Sequence, residues 1–107
     1  MRSGLVRGHL DGMLLAVLAD APAHGYELSQ RLTRRSGGEL DVPEGSLYPA
    51  LHRLERAGFV QSSWSTGDGR RRRTYRLTSA GCRAADDSRR EWRAFSAAVD
   101  RVLGGTA

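Results

Sequence analysis

One short segment, Thr66-Gly67-Asp68-Gly69-Arg70, constrains the fold of this chain more than any other. Glycine on both sides of Asp68 provides the backbone freedom that a tight reversal needs. The run from Phe59 to Ser65 and the run from Arg71 to Thr78 both read as strands. On the second, Arg71, Arg73, Tyr75 and Leu77 share one face, so its inner half carries Tyr75 and Leu77. A two-stranded hairpin is thus set into a sequence whose remaining apolar spacing is helical.

Three short helices are expected before it. The first spans about 9–20, with Leu10, Met13, Leu14, Val17 and Leu18 at i, i+3, i+4 spacing, and residues 1–8 are expected to be frayed. Pro22 ends it by disfavouring helical geometry at the preceding residue. The second covers about 24–35, with Tyr26, Leu28 and Leu32 as its apolar members, and stops at Ser36-Gly37-Gly38. The third covers about 46–57, with Ser46 as N-cap, Pro49 near the first turn and Gly58 as the stop. After the hairpin a long helix runs over about 79–103. The fold class that follows is mainly α with a small two-stranded β-hairpin. Residues 1–78 form a winged helix-turn-helix domain, and residues 79–107 carry a long C-terminal dimerisation helix.

The length of 107 residues fits one domain, which on size scaling buries roughly 65% of its unfolded surface. Cys82 is the only cysteine, so an internal disulfide and a paired-thiolate metal site are both excluded. Arg2 and Arg7 precede the apolar run Met13 to Ala19, and Ala19-Asp20-Ala21 resembles a processing site. That run is too short to cross a bilayer and follows Asp11 and Gly12 directly, so it reads as a buried helix. A cytoplasmic protein with no membrane partner is expected.

Charge then points to a partner. Residues 45–76 hold seven arginines (53, 56, 70, 71, 72, 73 and 76) against Glu55 and Asp68, which accounts for the whole net charge of +5. The other residues carry ten arginines and ten acids and sum to zero. A block of this kind, made of a helix and a hairpin tip, has the form of an electrostatic footprint for a polyanion. On the third helix Leu47, Ala50, Leu51 and Leu54 cluster on one arc. Pro49, His52, Arg53 and Arg56 point away from it, with Tyr48 on the flank. Such a helix fits the major groove of B-DNA, where Arg and His reach base edges. Ser46, Tyr48 and the helix N-terminus suit phosphate contacts. Arg70, Arg71, Arg72 and Arg73 repel one another at the hairpin tip unless an anion is near, as for a wing along a nucleic-acid backbone.

In the last helix Ala85, Trp92, Phe95, Val99 and Val102 step at 7, 3, 4 and 3, a heptad seam with Ser88 in the missing place. Dimerisation is its natural outlet, against the alternative of packing within one chain. In a symmetric dimer paired Trp92 rings would flank a cavity for a planar aromatic effector, or else form plain interface core. Catalysis finds no support. His9, His24 and His52 lack metal-ligand spacing, Cys82 has no nearby His, and no phosphate loop occurs. No cofactor, metal or enzymatic activity is expected. Two other readings stay open, a sequence-tolerant nucleic-acid binder and a dimeric protein-interaction module.

Several segments resemble PadR-type transcriptional regulators. They are Leu14-Leu15-Ala16-Val17-Leu18, His24-Gly25-Tyr26-Glu27-Leu28, Gly45 through Glu55 with its Tyr48-Pro49 pair, and Tyr75-Arg76-Leu77-Thr78 with Gly81. The resemblance implies a homodimeric, double-stranded-DNA-binding regulator, usually a repressor, of a short subclass with one dimerisation helix. It implies that Ser46, Tyr48 and Pro49 touch the DNA backbone, that Arg70 to Arg73 form the wing, and that the last helix packs on helix 1 of the partner. It also implies a place for Trp92 in an effector site, because multidrug-sensing members carry a tryptophan at the matching distance from the Leu-Thr pair.

Overall fold

The computed structural model describes residues 3–104. Its elements run α1 (Ser3–Asp20), β1 (Ala23–His24), α2 (Gly25–Arg35), α3 (Glu44–Arg56), β2 (Val60–Gly67), β3 (Arg70–Leu77) and α4 (Ser79–Val102). The expectation of a frayed segment over residues 1–8 is corrected, since α1 begins at Ser3; Met1 and Arg2 lie outside the described residues. Gly4 and Gly8 lower helix propensity here, which hides the extension from a reading of spacing alone.

α1 is the central helix. It buries Leu10, Leu14, Leu15, Val17 and Leu18 against Leu28 and Leu32 of α2 and Leu47, Ala50, Leu51 and Leu54 of α3. Leu14, Leu28, Leu47 and Leu51 are fully buried, so each packs a four-carbon side chain away from water, a gain of about 2 kcal/mol apiece. Tyr26, expected among the apolar members of α2, is instead 57% exposed. Its hydroxyl accepts from Gln30 one turn along.

The sheet has three strands in the order β1-β3-β2, not two. Ala23 and His24 pair antiparallel with Tyr75 and Thr74, placing Ala23 in the core opposite Tyr75. A two-residue strand has no periodicity of its own and exists only because β3 offers a free edge. The hairpin turn is tighter than expected. Gly67 pairs with Arg70, leaving Asp68 and Gly69 as a two-residue loop with φ of 52° and 74°. Two positive φ values in succession match the right-handed twist of the flanking strands, and Asp-Gly suits that geometry.

α4 starts on Thr78, whose hydroxyl accepts from Gly81 N–H at 3.0 Å and donates to the Gly58 carbonyl at 2.6 Å. That side chain ties the start of α4 to the loop after α3. Gly81 sits so close to the Phe59 carbonyl that a Cβ there would lie 1.9 Å from its oxygen. α4 then runs along α1, and the molecule measures 53 × 28 × 20 Å.

Candidate nucleic-acid interface

α3 is amphipathic along its whole length. Its inward arc of Leu47, Ala50, Leu51 and Leu54 is buried, while Ser46, Tyr48, Pro49, His52, Arg53 and Arg56 are all exposed. The helix begins two residues earlier than the sequence implied. Pro43 is the N-cap, with no side-chain capping bond, and Ser46 is the third helical residue, not the cap. Glu44 takes the first position, where a carboxylate meets the positive end of the helix dipole. Pro49 consequently falls in the second turn. Having no N–H, it leaves the Gly45 carbonyl without its usual intrahelical donor.

The early start also creates a pair. Tyr48 donates its hydroxyl to the Glu44 carboxylate one turn back. That bond, with a smaller contribution from burial, pushes the Tyr48 phenol up to about 12. Arg53 leans to the other side of the helix, where it meets Asp11 of α1 at 2.9 Å. The centre of the outer face is therefore Pro49, His52 and Arg56, flanked by Tyr48 on the wing side and Arg53 on the α1 side.

The four wing arginines, Arg70 to Arg73, differ in their surroundings. Arg70 and Arg71 are exposed and have no acidic partner within ion-pair distance among the described residues. Arg72 lies 3.1 Å from His24 Nε2, beside the cap of α2. Arg73 donates to Ser62 Oγ at 2.8 Å and lies 3.9 Å from the Glu55 carboxylate on α3. Trp64, directly across from Arg73 on β2, sits under two guanidiniums, Arg71 at 4.6 Å and Arg73 at 5.3 Å from its ring centroid.

His24 joins the two halves. It caps α2 by accepting from Glu27 N–H, while Glu27 accepts from the His24 backbone N–H at 3.1 Å. The cleft between the α2 and α3 N-termini and the wing has a volume of about 680 Å³. Its walls include Tyr26, Glu44, Tyr48, Trp64 and all of Arg70 to Arg73. Sequence reasoning missed four residues of this surface, His24, Tyr26, Glu44 and Trp64. Two signals were present, an i, i+4 spacing from Glu44 to Tyr48 and, once Asp68-Gly69 is taken as the turn, a register that sets Trp64 opposite Arg73.

The C-terminal seam divides. Ala85, expected on the intersubunit seam, is 3% exposed and packs in this chain's own core, so it has no surface to offer a partner. Trp92, Phe95 and Val102 are exposed and Val99 is half-buried. Trp92 stacks edge-on against His9 with centroids 5.0 Å apart, and Phe95 lies 6.1 Å beyond. These rings border a groove of about 880 Å³ between α1 and α4, with Met13, Leu40 and Ala85 among its walls.

α2 and α3 make a helix-turn-helix, and β2–β3 is the wing beside it, so the fold is that of a winged-helix DNA-binding domain. The chain belongs to the transcriptional regulator PadR-like family, whose match spans residues 14–87. A transcriptional regulator of Mycobacterium tuberculosis is 44% identical over 87 residues, 81% of this chain and 76% of that protein. A transcriptional regulator from Clostridium thermocellum has a similar structure, with a TM-score of 0.83 at 27% identity over 94% of this chain and 96% of that one. A PadR-like transcriptional regulator from Bacillus cereus gives 0.80 at 28% identity, over 97% of this chain and all 100% of its own. No described helix is long and apolar enough to cross a membrane.

Proposed function

We propose that this PadR-like regulator acts as a homodimeric, sequence-specific repressor. One observation carries the reading. The N-terminal end of α3 and the basic tip of the wing open on the same cleft, with Glu44 and Tyr48 on one side and Arg70 to Arg73 on the other. α3 enters the major groove with His52 and Arg56 toward base edges, and Arg53 joins them on release from Asp11. Ser46, Tyr48, Pro49 and the N-terminus of α3 meet the backbone, and the wing arginines neutralise neighbouring phosphates. Trp92, Phe95, Val99 and Val102 of α4 join two subunits, setting two recognition helices about one DNA turn apart.

The test is fluorescence anisotropy with the duplex upstream of the protein's own gene against a shuffled duplex, across salt, with RNA as competitor. A preference of about a thousandfold for the first supports the reading, as does a log–log salt slope of roughly −5 if each subunit neutralises about three phosphates. Equal affinity for both, with RNA competing, favours a sequence-tolerant binder. Repression itself is read by transcription in vitro from that promoter, which falls as protein is added.

A second reading concerns control. Trp92, half exposed and bordering the α1–α4 groove beside His9 and Phe95, is suited to stack a planar aromatic effector. Quenching of tryptophan emission by planar compounds, lost in Trp92→Phe, tests it. No quenching by any compound rejects it.

A further inference from the structure

Trp64 has no role in the contacts proposed so far, yet it is a large ring left 55% exposed on the wing. Its neighbours on that face of the hairpin are Ser62, Arg71, Arg73 and Tyr75, because Ser62 pairs with Tyr75 and Trp64 with Arg73. Toward the turn the face loses its core and consists of the ring, the two guanidiniums and Thr66, which pairs with Arg71. Arg71 and Arg73 both lie within cation–π range of the indole. Two like charges brought to one ring repel each other, and the ring's negative face offsets part of that cost. Arg73 is further held by Ser62 and Glu55, which fix its direction and partly neutralise it. Arg71 has no such tether. Apart from the indole, nothing among the described residues sets where its guanidinium points.

We propose that Trp64 is the positioning residue of the wing, an aromatic platform that holds Arg71 and Arg73 in place for successive phosphates of the DNA backbone. The inference rests on the DNA-binding reading above and deepens it. A long flexible side chain that must be ordered on binding loses conformational freedom, whereas one already stacked on a ring has lost part of it beforehand. The part of the indole left open to solvent also covers deoxyribose between the two phosphates, apolar against apolar. Trp64 therefore acts on affinity for every duplex and not on sequence preference.

The experiment measures duplex affinity across salt for wild type and for Trp64→Ala, Trp64→Leu and Trp64→Phe, each checked by circular dichroism and thermal unfolding. Trp64→Ala is expected to weaken specific and shuffled duplexes alike, by roughly tenfold, and to flatten the log–log salt slope by about one. Phe, which keeps a π face, should recover most of the affinity, and Leu, which keeps only apolar bulk, should not. Wild-type affinity and slope in the Ala variant overturn the proposal. So does recovery by Leu as full as by Phe, a comparison that still decides if the Ala variant unfolds. If wild type binds no duplex at all, the DNA-binding reading falls and this one with it, a result distinct from an unaffected Ala variant.

Discussion

At the scale of single residues, the proposed recognition surface combines paired side chains with free charges. Tyr48 donates to Glu44, Arg53 meets Asp11, Arg72 meets His24, and Arg73 is tied to Ser62 and Glu55. Arg71 has no acidic partner among the described residues, so Arg71→Ala should weaken binding to all duplexes several-fold and lower the salt slope of the proposed dimer by about two, one per subunit, while Arg73→Ala, already part-neutralised, changes the slope less. Anisotropy titrations across salt separate the two. The Tyr48 bond has a pH signature. Its phenol is raised from 10.0 to about 12, chiefly by the bond to Glu44, so the bond stabilises the fold fully below pH 10 and is lost as pH climbs toward 12. Thermal unfolding should therefore find Tyr48→Phe less stable than wild type by a constant margin below pH 10, with the margin closing above it. A margin that grew with pH would contradict the assignment.

At the scale of elements, the junction between hairpin and last helix is the least forgiving place. Gly81→Ala must push the start of α4 off the Phe59 carbonyl, since the added carbon would lie 1.9 Å from that oxygen. It should cost about 1–3 kcal/mol or more, visible as a lowered urea midpoint. The helices were legible in the sequence wherever burial is periodic. Leu47, Ala50, Leu51 and Leu54 mark the inner face of α3 on spacing alone, and the exposure of Pro49, His52 and Arg56 follows from it. What depended on distant partners was not legible. β1 needs the edge of β3, and Ala85 needed the position of α1 to be recognised as core. The start of α3 was misplaced because Ser46 makes the better cap by residue type, while the chain uses Pro43 and gains the Glu44–Tyr48 bond instead. A turn read as five residues long also left the hairpin register open, and with it the partner of Trp64.

At the scale of the whole molecule, the described residues leave the α3–wing cleft and the outer half of α4 without cover. In the proposed dimer the exposed Trp92, Phe95 and Val102 would meet a second copy of the chain, with the polar opposite face of α4 left to solvent. Phe95→Glu should convert a dimer to a monomer by light scattering while circular dichroism stays unchanged, and specific duplex affinity should fall with it. Loss of the dimer with full retention of specific binding would contradict a two-helix recognition mode. One paired measurement tests the division of labour between α3 and the wing. Affinities of His52→Ala and Arg71→Ala for the specific and shuffled duplexes are compared with wild type at one salt concentration. His52→Ala is expected to narrow the gap between the two duplexes, by about 1–3 kcal/mol if the ring makes a good base contact, and Arg71→Ala to lower both affinities and leave the gap intact. An unchanged gap in His52→Ala, together with a collapsed one in Arg71→Ala, would reverse the roles assigned to helix and wing.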